Sequence, residues 1–142
     1  MTIREPRWIE ARLVDAVHRR QLAEHGGSIG VRDRGALATA LARPRQRFAH
    51  GGEDVDLPAL AAAYACGVMR NQPFVDGNRR TAYVLCRTFL RINDWDLVGP
   101  LAERYAQFLG LAAGDVGEDE LADWIRAHAR PDAIHEPAGE YG

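Results

Sequence analysis

Apolar residues recur at spacings of three and four in six separate stretches of the chain, which is the pattern of amphipathic helices. The pattern predicts helices over residues 10–24, 34–42, 57–70, 78–92, 101–113 and 118–128. We therefore expect an all-α fold, a compact single-domain bundle of about six helices. Residues 1–130 form the predicted domain, and residues 131–142 lack apolar periodicity, which predicts a flexible C-terminal tail.

Turn and cap residues set the predicted boundaries. Asp33 and Asp56 are N-cap candidates for the second and third helices. Pro44 lies just beyond the predicted end of the second helix, and residues 45–56 are interpreted as a loop or flap. In the third helix, small residues at 61–63 and Gly67 predict close packing against neighbouring helices.

Composition and charge exclude several classes of protein. The formal net charge is −2, and arginine supplies all 18 positive charges because the sequence has no lysine. A nearly neutral chain gives no indication of direct nucleic-acid binding. The sequence offers no membrane-spanning stretch or signal peptide, so a cytoplasmic protein is expected. Cys66 and Cys86 lie in apolar stretches and are predicted to be buried free thiols.

The segment between the two central helices carries the candidate chemistry. Asp76, Gly77 and Asn78 form a turn, and Arg79 and Arg80 follow at the start of a helix. A helix N terminus offers unpaired N–H groups and a positive dipole end, where cationic side chains are unfavourable unless an anion is bound. The two adjacent arginines suggest a phosphate site with a divalent cation on the acidic side chain. It is also compatible with ordinary helix capping and solvated or ion-paired arginines, and this alternative stays open.

Residues 72–81, QPFVDGNRRT, resemble the signature of the Fic/Doc family, and residues 30–37, GVRDRGAL, resemble a second block of its Doc-like members. The resemblance extends over residues 8–127 and implies an all-α fold. It also implies that Asp76 coordinates Mg²⁺, that Gly77 and Asn78 form a phosphate nest, and that Arg79 and Arg80 bind the phosphates of ATP. Phe74 would be a buried anchor of the loop.

Two positions favour the Doc branch over adenylylating Fic proteins. Arg79 is basic where Fic proteins usually have glycine, and Tyr83 stands where they have a second arginine. The Doc resemblance implies an ATP-dependent phosphotransferase that modifies a threonine of elongation factor Tu and blocks translation. It further implies an antitoxin partner whose C-terminal segment folds on binding. A Fic-type adenylyltransferase and a catalytically inactive partner-binding module are the alternatives.

Gln72 occupies the position of the catalytic histidine in this family. A glutamine cannot take a proton near pH 7, and a positioned base contributes roughly 10²–10⁴ in rate. We therefore expect weak or absent transfer, whether Gln72 belongs to a natural degenerate member or is an attenuating substitution. Of the five histidines, His50 in the predicted flap is the one candidate substitute; the others are expected at the surface, namely His18, His25, His128 and His135.

Overall fold

The computed structural model describes residues 3–52 and 55–132. These residues form six helices and one small antiparallel sheet, so the prediction of an all-α bundle is confirmed. Within the described ranges, no helix is long and apolar enough to cross a membrane. The elements in chain order are α1 Ala11–His25, α2 Arg34–His50, α3 Leu57–Asn71, α4 Asn78–Ile92, β1 Trp95–Leu97, α5 Leu101–Ala113, α6 Glu118–His128 and β2 Ala129–Pro131.

Helix α3 is the centre of the fold, as its small residues predicted. Every residue from 58 to 68 is buried, and α2, α4 and α6 all pack around this helix. A side chain at Gly67 would place its Cβ 2.8 Å from the carbonyl oxygen of Ala40 on α2. Glycine is therefore required where the two helix backbones approach each other. Asp56 caps the helix by accepting the N–H of Ala59 at 3.0 Å.

Helix α2 is longer than the sequence predicted. It continues to His50, with Pro44 buried inside it, although the pattern placed the helix end at residue 42. Proline inside a helix removes one hydrogen bond and costs about 3 kcal/mol. Packing against α3 offsets this cost, because Leu37, Ala40 and Pro44 are all buried along one face. Residues 45–50 of the predicted loop therefore belong to α2.

The short sheet was not predicted. Strands β1 and β2 pair antiparallel, with Trp95 opposite Pro131 and Leu97 opposite Ala129. The N–H of Asp132 then donates to the carbonyl of Asp94 at 2.7 Å. Hydrogen bonding thus extends two residues beyond the predicted domain boundary at 130. The rest of the predicted tail, residues 133–142, lies outside the described residues.

Both cysteines are buried, and neither forms a disulfide. Burial in the core raises the pKa of the Cys66 thiol to about 12 and raises the pKa of Cys86 as well. A thiol with so high a pKa is protonated at neutral pH and is a poor nucleophile. The prediction of two buried free thiols is confirmed.

Candidate anion-binding site

Residues 72–77, called here the motif loop, join α3 to α4. Gln72 and Gly77 at its two ends both adopt left-handed backbone conformations, with φ values of 45° and 75°. Phe74 is 1% exposed and anchors the loop in the core, as predicted. The side-chain amide of Asn78 accepts the N–H of Phe74 and donates to its carbonyl, each at 3.0 Å. The Asn78 side chain therefore holds the loop closed, a role that the sequence did not indicate.

Residues 27–33, called here the clamp segment, hold the motif loop from the other side. The N–H groups of Arg32 and Asp33 donate to the carbonyl of Pro73 at 2.7 and 3.2 Å. In return, the N–H of Val75 donates to the carbonyl of Gly30 at 3.0 Å. The second sequence block that resembles the Doc pattern thus lies directly against the first.

The Arg32 side chain extends this contact to the end of α3. Its guanidinium donates to the carbonyl of Gln72 from Nε at 2.9 Å and from Nη2 at 2.7 Å. A third bond from Nη2 reaches the carbonyl of Asn71 at 3.0 Å. A cation at a helix C terminus is favourable, and here it fixes the backbone at the position of the family histidine.

An open cavity of about 490 Å³ lies at the N terminus of α4. It brings together all the site residues that the sequence predicted, Gln72, Asp76, Gly77, Asn78, Arg79 and Arg80. No side chain caps this helix, because its N-cap residue is glycine and the Asn78 amide is bonded to the loop. The first N–H groups of α4 are therefore available to an anion.

Arg79 and Arg80 are both exposed, and within the described parts of the chain neither forms an ion pair. The alternative in which nearby acids pair with these arginines thus has no support among the described residues. Two unpaired cations beside the positive end of a helix dipole destabilise the helix slightly. A bound polyanion would remove that repulsion.

Asp76 is exposed at the edge of the same cavity. Its Oδ1 accepts the N–H of Gly77 at 2.9 Å, and its Oδ2 accepts the N–H of Ser28 at 3.4 Å. These bonds orient the carboxylate and still leave lone pairs free. No group of three or more acidic, histidine or cysteine side chains that could hold a metal ion occurs in the described residues, and among them Asp76 is the one carboxylate that lines the cavity. That fits Mg²⁺, which usually takes one or two carboxylates and completes its shell with phosphate and water.

Gln72 also lines the cavity, with its side chain exposed. Its Nε2 donates to the carbonyl of Met69 at 2.8 Å, so the amide turns back onto the last turn of α3. An amide in this position can orient a hydroxyl group but cannot accept its proton. No titratable base stands at the position of the family histidine.

The prediction that His18 lies at the surface is wrong. His18 is 3% exposed, stacks on Phe74 with ring centroids 3.9 Å apart, and places Nδ1 3.2 Å from Oγ1 of Thr81. Burial lowers its pKa, although the nearby carboxylates of Asp15 and Asp76 act in the opposite direction. The sequence carried a usable signal, because position 18 is one turn from each of the two apolar residues at 14 and 22 on the buried face of α1.

Among the described residues, none of the other histidines lines the cavity. His25 and His50 are exposed at the C-terminal ends of α1 and α2, and neither lines the cavity. His128 is half-buried, with Nδ1 2.8 Å from the carbonyl oxygen of Trp124. His135 lies outside the described residues. His50, the one candidate substitute, therefore belongs to α2 rather than to a flap.

Comparison with known proteins identifies the family to which these site segments belong. Residues 8–90 match the model of the Fic/DOC family, a range that includes the clamp segment and the motif loop. The chain belongs to the Fic/DOC family. The Fic/DOC match ends near the C terminus of α4, so all the site residues described above lie within it, whereas α5 and α6 do not.

Two relatives of the chain are Doc proteins. "Toxin Doc" of Mycolicibacterium smegmatis is 43% identical over 68 residues, which cover 48% of this chain and 52% of that toxin. "Protein kinase doc" of Escherichia phage P1 is 30% identical over 111 residues, which cover 78% of this chain and 86% of the phage protein. The chain thus spans about half of the first relative and most of the second.

Proposed function

We propose that this chain is a Doc-like toxin with the scaffold of an ATP-dependent protein phosphotransferase, and that its transfer activity is impaired. The observation that carries the proposal is the uncapped N terminus of α4 beside two arginines that form no ion pair with any described residue. The names of the two relatives, a toxin and a protein kinase, support the same function.

In this proposal the phosphates of ATP occupy the cavity at the start of α4. The N–H groups that follow Gly77 bind phosphate oxygens, and the guanidinium groups of Arg79 and Arg80 neutralise their charge. Asp76 holds Mg²⁺, which supplies further neutralisation of charge on the phosphates when bound. The left-handed conformation of Gly77, followed by helical residues, gives the backbone the concave shape that binds anions.

Gln72 is the reason we expect impaired transfer. The acceptor hydroxyl must lose its proton as the phosphate bond forms, and a glutamine amide cannot take it. The missing base corresponds to roughly 3–5 kcal/mol of barrier. Nucleotide binding depends on the other cavity residues, so it should survive the substitution.

We further propose that the acceptor is a threonine of elongation factor Tu and that an antitoxin with a folding-on-binding segment controls the toxin. Both proposals come from the resemblance to Doc. The described part of the chain is compatible with a protein acceptor, because Gln72 and the arginines line a cavity open to solvent.

The test compares the chain with its Gln72→His variant. Mg·ATP affinity is measured by calorimetry, and modification of elongation factor Tu is followed by mass spectrometry. We expect similar affinity for both proteins and transfer that is about 10²–10⁴ faster in the variant. An Asp76→Asn version of the same variant serves as the control, since it keeps the new histidine and loses the Mg²⁺ ligand.

The mass that is added separates phosphoryl from adenylyl transfer, because the first adds one phosphate and the second adds AMP. Equal transfer by the original chain and by Gln72→His would contradict the proposal of impairment. Tight ATP binding with no transfer in either protein would indicate a catalytically inactive module. No ATP binding at all would contradict the nucleotide site itself.

A further inference from the structure

A buried histidine behind the cavity contacts both halves of the anion site. The His18 ring stacks on Phe74 of the motif loop with an interplanar angle of 14°. Its Nδ1 lies 3.2 Å from the hydroxyl of Thr81, in the first turn of α4. One side chain of α1 therefore joins the loop that carries Asp76 to the helix turn that carries Arg79 and Arg80.

The same part of α1 supports the backbone at the start of α4. A Cβ at Gly77 would lie 3.8 Å from Cε1 of His18 and 3.4 Å from Cδ2 of Leu22. The two α1 side chains thus pack beneath the N-cap glycine. A change in the position of the His18 ring would be transmitted to the N–H groups of the anion site.

His18 is also an unusual choice for a core position. Its Nε2 is buried and has no hydrogen-bond partner within the described residues. A buried polar atom without a partner is destabilising, whereas an apolar ring of similar size would fill the space without that cost. The presence of an imidazole at this position therefore indicates a role beyond filling volume.

We propose that His18 is a positioning residue of the anion site. Its stack on Phe74 and its hydrogen bond with Thr81 fix the motif loop relative to the first turn of α4. This alignment holds Asp76 at the correct distance from the helix N–H groups and from Arg79. His18 does not line the cavity, so it acts through these neighbours and does not touch the ligand. The inference rests on the proposed binding of Mg·ATP.

The test measures Mg·ATP affinity and melting temperature for four variants. His18→Phe keeps an aromatic stack and removes the Nδ1 contact, and Thr81→Val removes the hydroxyl with little change of shape. Losing one hydrogen bond should weaken binding by about three- to tenfold in each. Thr81→Ser keeps the hydroxyl and should bind like the original chain. The double variant should bind no more weakly than either single one, because both changes remove the same contact.

Tyr64→Phe is the matched control. The Tyr64 hydroxyl accepts the N–H of Ile9 at 3.1 Å in the core and does not line the cavity. Its removal should lower the melting temperature and leave Mg·ATP affinity unchanged. Affinity is measured well below every melting temperature, so that unfolding does not contribute. If His18→Phe does not fold, the comparison of Thr81→Val with Thr81→Ser decides the question.

Two results would overturn the proposal. The first is that His18→Phe and Thr81→Val lower the melting temperature, as Tyr64→Phe does, but leave affinity within twofold. The second is that their effects on affinity add in the double variant. If the original chain binds no Mg·ATP, the proposed function fails separately. Amide hydrogen exchange at residues 77–80 then tests the positioning role, because exchange should be faster in these two variants than in Tyr64→Phe, and equal exchange would refute it.

Discussion

Both ends of α4 carry two arginines, and the two pairs differ in their exposure and ion pairing. At the N terminus, Arg79 and Arg80 are exposed and have no ion pair within the described residues. Near the C terminus, Arg87 and Arg91 both pair with Asp96, Arg87 through its Nε at 2.9 Å and Arg91 through its Nη1 at 3.2 Å. Arg91 is only 6% exposed.

The helix dipole adds to this difference, because its two ends carry partial charges of opposite sign. A cation near a helix C terminus is favourable, whereas a cation at the N terminus is repelled. The C-terminal pair thus gains from the dipole and from Asp96, and its role is structural. The N-terminal pair gains from neither, which is the reason we propose that it binds a ligand. Partners and position, rather than residue type, distinguish a structural arginine from a binding one.

The largest expected effect is on ligand affinity at the N-terminal end. In the double variant Arg79→Gln/Arg80→Gln, each lost charge-assisted contact should weaken Mg·ATP binding by about tenfold, or roughly a hundredfold together. Calorimetry measures this effect. The control is Arg12→Gln, which removes a highly exposed arginine that does not line the cavity. Equal Mg·ATP affinity in the double variant and in the control would contradict a ligand-binding role for Arg79 and Arg80.

The next largest expected effect is on the stability of the fold, through the ion pairs near the C terminus of α4. Asp96→Asn removes the carboxylate that pairs with Arg87 and with the buried Arg91, and breaking such a pair costs about 2–4 kcal/mol, allowing for partial exposure. Urea unfolding measures the change in the free energy of unfolding. Mg·ATP affinity of the folded variant should stay unchanged. A variant as stable as the original chain would show that the C-terminal cluster is not a structural element.

The stability contribution of Asp96 should depend on pH. Burial raises its pKa, but the hydrogen bond and charge of Arg87, with smaller contributions from Leu97 N–H and Arg91, outweigh this and bring the pKa below the ordinary 3.8. A carboxyl whose pKa is lowered in the folded state stabilises the fold above its unfolded pKa and loses that contribution as pH falls. The stability difference between the original chain and Asp96→Asn should therefore shrink as pH falls below about 4. A difference that stays constant between pH 7 and pH 3 would argue against an ionic contribution.

The smallest effect is a gain in stability at the N-terminal end. Without ligand, Arg79→Gln/Arg80→Gln removes two cations from the positive end of the dipole, which should stabilise the fold by a few tenths of a kcal/mol per arginine. Thermal unfolding in low salt measures the gain, and about 1 M salt should abolish it by screening. A loss of stability would mean that these arginines make structural contacts after all.

Local sequence signals predicted the helices well, because each depends on neighbours along the chain. The bounds of α4, α5 and α6 coincide with the predicted ones, and the caps Asp33 and Asp56 bond as expected. The prediction was wrong for α2, where packing against α3 offsets the hydrogen bond that Pro44 removes. Such an offset involves residues far apart in the chain and has no local signal.

Some features of the candidate site also have a local signal in the sequence, whereas others depend on tertiary packing. The sequence alone determined the helical fold, the turn before α4, and the residue types that an anion site requires, since backbone preference and side-chain chemistry are local properties. Only the tertiary structure decided that Asp96 pairs with the C-terminal arginines of α4, that the described residues leave Arg79 and Arg80 without an ion pair, and that His18 is buried behind the motif loop. Partners and burial depend on which distant segments pack together, and no spacing along the chain specifies that.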